Sequence, residues 1–217
     1  MGKKGIFSPF TIATSLVTGG LFPLLGSVAA VSTGALEILH IQRLVLVVLG
    51  GFLAHWLLTH TIHDLLHYEE DDTEGKRQTL SRKNLKILMF VSAAILLMIA
   101  FYLAWLVGWP VLVFSVVGAI LCMYGRGLLY HESMMAFAAL FLVIGAFYVQ
   151  VGTFNLESVI WLRVVLLSLF SFFSQYGWLH MYRLDHYGWS ERERNRGILI
   201  TKMGFPFLVL YFLIDLL

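Results

Sequence analysis

Charged side chains are scarce in this 217-residue chain. Asp, Glu, Lys and Arg make up 13% of the residues, while 59% are hydrophobic. A soluble domain carries roughly 25% charged residues. The deficit excludes an ordinary water-soluble domain and indicates several membrane-spanning segments. The formal net charge is +2, which is too small to suggest a nucleic-acid partner.

The sequence motifs of several enzyme and metal-protein classes are also missing. The chain has no Gly-rich phosphate loop, no GxSxG nucleophile motif and no paired-cysteine metal motif. Its single cysteine, Cys122, lies inside an apolar run, so no internal disulfide can form.

Long apolar runs are abundant instead. A spanning helix needs ~20 mostly apolar residues. We predict an all-α transmembrane bundle that forms a single domain over residues 1–217, with the fourth span short and followed by Gly125-Arg126-Gly127. We expect the first span to be retained, because a signal peptide has only ~7–15 apolar residues. The seven predicted spans are about 11–32, 43–66, 85–107, 110–125, 132–151, 159–182 and 198–217.

Basic residues concentrate in alternate connections between these spans. They precede the first span, they include Arg126, and they occur in two long polar connections at about 68–84 and 183–197. The opposite connections contain only Arg43 and Arg163. Because basic residues favour the cytoplasmic side, we expect an integral protein of the cell membrane with a cytoplasmic N-terminus. The two long connections would cap its cytoplasmic face.

A stripe of ionisable residues follows the second apolar run. On a helix, the offsets of His60, His63, Asp64, His67 and Asp71 place them on one face. Ionisable groups beside an apolar run need a polar partner or water, and they are functional candidates by default.

Three interpretations of this stripe are open. The two aspartates could hold Mg²⁺, which prefers oxygen ligands. The three histidines with a carboxylate would suit zinc or iron. The stripe could also be a solvated helix end, although Asp64 lies closest to the apolar run and is the strongest functional candidate. The neighbouring His55 is expected to be packed and hydrogen-bonded rather than a ligand.

Four segments of the chain, taken together, resemble one known family. The first is SPFTIATSLVTGGLFPLLGSVAA, and the second is HDLLHYEED, which begins at His63 and replaces an Asn-Asp-x-x-Asp-x-x-x-Asp motif. The third is YGRGLLYHESMMAFAALFLVIGAFYVQVG, and the fourth, RLDHYGWSERERNRGILITKMG, lies at the position of a second Asp-rich motif. The chain resembles the UbiA superfamily of intramembrane prenyltransferases, most closely its dihydroxynaphthoate polyprenyltransferase branch.

The resemblance implies transfer of a prenyl group from a prenyl diphosphate to an aromatic or lipid acceptor, in quinone or lipid biosynthesis. It implies Mg²⁺ as the cofactor, and as partners a prenyl diphosphate, a lipophilic acceptor and membrane lipid. The implied catalytic residues are Asp64, Asp71 and Asp185. The implied ligands are Asp64, His67 and Asp71 for one Mg²⁺, Asp185 and Glu191 for another, and Lys76, Arg77, Tyr124 and Arg126 for the diphosphate.

This chain departs from the family in two respects. Histidines replace the asparagine and the middle aspartate of the first motif, which lowers the negative charge and is expected to weaken Mg²⁺ binding and activity. The family usually has nine helices, whereas seven are predicted here, which would leave a flank for other membrane subunits. Two alternatives therefore stay open: a non-catalytic subunit of a larger membrane complex, and a histidine-rich metal- or haem-binding membrane protein.

Overall fold

A computed structural model describes residues 6–66, 68, 80–122, 132–184 and 188–214, and all regular elements in these ranges are helices. We number the helices in chain order. Two of them contain a π-helical turn, Leu16–Leu21 in α1 and Ala54–Thr59 in α2. The helices are α1 (Pro9–Ser32), α2 (Ile41–Leu66), α3 (Arg82–Val107), α4 (Pro110–Cys122), α5 (Glu132–Val151), α6 (Ser158–Tyr182) and α7 (Glu191–Leu213).

Six of these helices are long and apolar enough to cross a membrane, which confirms the predicted class of an all-helical membrane protein. The exception is α4, which has 13 residues. At 1.5 Å per residue α4 is about 20 Å long, shorter than a hydrocarbon core of about 30 Å. A seventh span at this position therefore stays a prediction.

Helix α5 lies at the centre of the bundle and packs against α6, α1, α4 and α2. Its buried side chains Val143 and Phe147 form one core cluster with Ala29 of α1 and Val164 of α6. The connections 33–40, 108–109 and 152–157 meet at one end of the bundle, which we call the short-loop end. The opposite end, where α2 stops and α3 begins, is the long-loop end.

Arg43 joins two helices at the short-loop end. It lies in the first turn of α2, and its Nη1 donates hydrogen bonds to the carbonyl oxygens of Val149 (3.2 Å) and Gln150 (2.9 Å) at the end of α5. The Gln150 side chain, which is fully buried, accepts a hydrogen bond from the backbone N–H of His40 at 3.0 Å. A cation is favourable at a helix C-terminus, where the last carbonyls lack helical partners.

Arg163 makes a second contact between helices in the same half of the bundle. Its guanidinium lies 5.0 Å from the ring centroid of Tyr211 in α7. The Tyr211 hydroxyl is hydrogen-bonded to Ser32 at the end of α1. The two basic residues predicted on the outer side of the membrane are therefore held in contacts between helices.

The last helix begins earlier than the sequence predicted. We expected a polar connection up to residue 197, but α7 is helical from Glu191. The Ser190 hydroxyl caps this helix by accepting a hydrogen bond from the backbone N–H of Glu193 at 3.2 Å, and two acidic residues in the first turn favour the same start. Part of the second predicted loop is thus a helical extension of the last span.

Candidate functional site

A π-helical turn reshapes the polar stripe of α2. In an α-helix, residues five apart lie on different faces. The turn Ala54–Thr59 is π-helical, and the Thr59 hydroxyl donates a hydrogen bond back to the Ala54 carbonyl at 3.0 Å. Because π-helical hydrogen bonds join residues five apart along the chain, His55 and His60 come to the same side, with ring centroids 5.3 Å apart. The turn therefore adds His55 to the predicted stripe.

His55 is anchored across the interface between α1 and α2. Its Nδ1 lies 2.9 Å from the hydroxyl oxygen of Ser15, which is fully buried in α1. The helices approach closely here because Gly19 and Gly51 face each other: a Cβ on either would collide with the backbone oxygen of the other. Small residues allow this backbone approach in membrane bundles. The hydrogen bond holds the His55 ring in one orientation.

The stripe continues from His60 to Asp64, one helical turn closer to the long-loop end. Residues four apart share a helix face. The Asp64 side chain is 16% exposed, and its Oδ1 lies 3.7 Å from Nδ1 of His63. A largely buried carboxylate near the end of a spanning helix is positioned to take part in binding a cation or a polar ligand.

Two buried polar atoms lie between His55 and Asp64. Nε2 of His60 and the Thr61 hydroxyl oxygen have no hydrogen-bond partner among the described residues. A buried polar group left unpaired costs about 1–3 kcal/mol, so such atoms mark places where a ligand, ion or water would be bound. This part of α2 therefore contains buried polar atoms that lack hydrogen-bond partners among the described residues.

An apolar cavity of about 350 Å³ lies on the other side of His55, between α1, α2, α3, α4 and α5. The part of the lining that the structure describes contains no Asp, Glu, Lys or Arg side chain, and His55, Thr18 and Ser115 contribute its polar side chains. Pockets for small molecules span about 300–1,000 Å³ and combine apolar walls with a few polar groups. The cavity can therefore accept an uncharged lipophilic group.

The cavity reaches the lipid-facing surface of the bundle. Two of its lining residues, Leu97 of α3 and Val116 of α4, are each 55% exposed. The surrounding face of α3 is exposed and apolar, with Phe90, Met98 and Phe101 between 60% and 68% exposed. A lipophilic molecule could enter sideways from the bilayer, between α3 and α4.

Only two of the predicted site residues lie in the described part of the chain. Asp64 is placed in α2 as described above, and Glu191 is exposed in the first turn of α7. Within the described ranges, no three His, Cys, Asp or Glu side chains form a group suited to a metal ion. Seven predicted site residues lie outside the described residues: His67, Asp71, Lys76, Arg77, Tyr124, Arg126 and Asp185.

The donor set around Asp64 fits Mg²⁺ in part. One carboxylate with substrate phosphate oxygens is a usual way to hold this ion, and Asp64 supplies that carboxylate. The neighbouring imidazole of His63 suits Mg²⁺ less well than an oxygen ligand. The two-aspartate Mg²⁺ site and the three-histidine site therefore both stay predictions.

A second polar contact lies where α6 meets α7. Nε2 of His180, which is buried, lies 3.2 Å from the Glu193 carboxylate, and Arg196 lies 3.8 Å from the same carboxylate. Gly177 and Gly197 allow the two helices to approach here, since a Cβ on Gly177 would collide with Thr201. Glu193 thus joins two helices, whereas Glu191 is exposed.

The chain matches no protein-family model, no curated protein and no solved structure. Assignment of a function therefore depends on the residues described above, together with the resemblance of the four segments.

Proposed function

We propose that the chain is an integral membrane prenyltransferase that moves a prenyl group from a prenyl diphosphate to a lipophilic acceptor. The observation that carries this proposal is that α2 borders an apolar cavity at one point and presents polar side chains further along. An uncharged cavity that reaches the lipid lies beside His55, and a polar stripe leads from there to Asp64 at the long-loop end.

A prenyl diphosphate has the same division between a charged head and an apolar chain. The diphosphate cannot enter the cavity, because a buried charge without a partner is very costly. The isoprenoid chain gains about 25 cal/mol per Å² of apolar surface removed from water. We therefore place the head at Asp64 and the chain toward Leu97 and Val116, where the cavity reaches the bilayer.

Asp64 would hold a Mg²⁺ ion, whose chemistry when bound is to neutralise charge on the diphosphate. Lys76 and Arg77, which follow in the same connection, would take diphosphate oxygens by charge-assisted hydrogen bonds. Asp71, Asp185 and Glu191 complete the proposed charged site. The bond between prenyl carbon and diphosphate oxygen breaks, a bond to the acceptor forms, and the acceptor loses a proton.

The distribution of basic residues supports a cytoplasmic long-loop end. Arg82, Lys83 and Lys86 begin α3 there, and the first turns of α7 contain three more arginines. The short-loop end has Arg43 and Arg163, which are held in contacts between helices. Basic residues accumulate on the cytoplasmic side, which would place Asp64 and the diphosphate head at the cytoplasmic face.

Binding of geranylgeranyl diphosphate to the purified protein tests this proposal. We expect binding that requires Mg²⁺ and weakens at least roughly tenfold in Asp64→Asn, because even the outer-shell partners of metal ligands contribute about 10–100-fold to metal affinity and Asp64 would hold the ion directly. Glu37→Gln is the matched control, because Glu37 is exposed in the connection at the short-loop end. Equal binding by both variants, or no binding by folded wild type, would overturn the proposal and favour the non-catalytic subunit.

A further inference from the structure

His55 is a polar side chain in an apolar environment, where burial of an apolar side chain would cost less free energy. It is 9% exposed, it lies inside the spanning helix α2, and it lines the apolar cavity. Its one hydrogen bond to a described residue is made through Nδ1 with Ser15. The two ring nitrogens of a histidine are distinct, and a bond at one fixes the role of the other. Nε2 is thereby left to act as a donor or acceptor.

We propose that His55 is the hydrogen-bonding end of a binding site for an uncharged lipophilic molecule that carries a hydroxyl or carbonyl oxygen. The body of the molecule lies in the part of the cavity beside His55, and its oxygen pairs with Nε2 of that residue. Ser15 is a positioning residue, because it orients the imidazole without touching the ligand.

The ligand is expected to be uncharged because the described residues of the cavity wall offer no compensating charge. Among the described residues, no Asp, Glu, Lys or Arg side chain lines the cavity, and a charge moved there from water would be unpaired by them. A purely apolar ligand would leave the imidazole nitrogen without a partner, which costs about tenfold in affinity by the hydrogen-bond scale. The site therefore distinguishes a polar-headed ligand from its hydrocarbon counterpart.

The position of His55 connects this site with the proposed reaction. His55 precedes Asp64 by nine residues, which is at most about 13.5 Å along the helix at the α-helical rise of 1.5 Å per residue. That distance leaves room for a diphosphate head beside Asp64 without overlap with a ligand held on the cavity side of His55. The identification of the ligand as the prenyl acceptor rests on the proposed function, whereas binding at His55 does not.

A pair of nearly isosteric probes tests the site directly. 2-Naphthol carries a hydroxyl group where 2-methylnaphthalene carries a methyl group, and both are uncharged at neutral pH. Equilibrium binding of each probe to the purified protein in lipid nanodiscs would be measured against nanodiscs without protein. We expect wild type to prefer 2-naphthol by about tenfold, the difference that one hydrogen bond makes.

Four variants separate the hydrogen bond from the cavity. His55→Leu should abolish the preference while retaining 2-methylnaphthalene, and His55→Gln, which keeps a polar group, should restore part of it. Gly118→Phe should abolish binding of both probes, because its ring would fill the cavity. Gly118 lines the cavity, and a Cβ there meets no atom within 4 Å, so the larger side chain can be accommodated. Ile120→Phe is its control, since Ile120 is half exposed on the same helix and does not line the cavity.

Two results would overturn the inference. One is equal affinity of wild type for the two probes, and the other is a preference that persists in folded His55→Leu. If His55→Leu does not fold, Gly118→Phe tests the inference in its place. Unchanged binding of 2-naphthol by Gly118→Phe would show that the probe binds outside the cavity, and it would overturn the inference. None of these results alters the expected Mg²⁺-dependent binding of the diphosphate at Asp64, so the two proposals fail separately.

Discussion

Adjacent glycines in α2 are expected to respond in opposite ways to the same substitution. Gly50 and Gly51 are both inside the helix, so Gly→Ala should improve helix propensity by about 0.8–1 kcal/mol at either position. A Cβ on Gly50 would lie 3.6 Å from Ile99, which is ordinary van der Waals contact. A Cβ on Gly51 would lie well under 3.0 Å from the backbone oxygen of Gly19.

The collision at Gly51 involves backbone, so no side-chain rotation can relieve it. One helix must shift, and overpacking of this kind costs about 1–3 kcal/mol, occasionally more. Gly50→Ala should therefore leave the protein as stable as wild type or slightly more stable. Gly51→Ala should be less stable than Gly50→Ala by about 1–3 kcal/mol, the overpacking cost.

Unfolding in mild detergent, followed by far-ultraviolet circular dichroism as denaturant is added, measures this difference. The two variants share the same propensity gain, so their difference isolates the contact between α1 and α2. Equal stability of Gly50→Ala and Gly51→Ala would refute the close approach of these helices. It would also remove the basis for the Ser15–His55 hydrogen bond beside it.

Two further predictions concern the contacts at the short-loop end. Arg43→Ala should lower the free energy of unfolding by about 1.5–3 kcal/mol, because it removes charge-assisted hydrogen bonds to the end of α5; Arg43→Lys should restore part of the loss, and an unchanged thermal midpoint would contradict the contact. Tyr211→Phe keeps the ring beside Arg163 but loses the hydrogen bond to Ser32, so it should cost about 0.5–1.5 kcal/mol. If the two side chains share this bond, Ser32→Ala should lower the stability by about the same amount as Tyr211→Phe. The double variant that combines Tyr211→Phe with Ser32→Ala should then lose less than the sum of the two single losses, and strictly additive losses would contradict the bond.

Much of the fold could be predicted because hydrophobic length is a strong signal in membrane proteins. The predicted span 85–107 and the helix Arg82–Val107 differ by three residues at one end, and α5 and α6 agree as closely. The last span was less predictable. The charged residues after Ser190 predicted a loop. They are instead helical, because Ser190 caps the helix and acidic residues occupy its first turn.

The candidate site was only partly predictable, for a geometric reason. The offsets of an ordinary helix were enough to place His60 and Asp64 on one face. They could not place His55 there, because the π-helical turn that brings it beside His60 has no sequence signature in this stretch. The expectation that His55 is packed and hydrogen-bonded is confirmed by its bond to Ser15, but its place on the cavity wall depends on how five helices meet.

The most direct test of the account is the location of a bound prenyl diphosphate. Geranylgeranyl diphosphate with a photoreactive group at the end of its chain would be cross-linked to the protein in nanodiscs, and the labelled peptides identified by mass spectrometry. We predict labels on α3 and α4 near Leu97 and Val116, present with Mg²⁺ and lost with a chelator. Labels that are unchanged by the chelator, or that lie on α6 and α7 away from the cavity, would contradict the account.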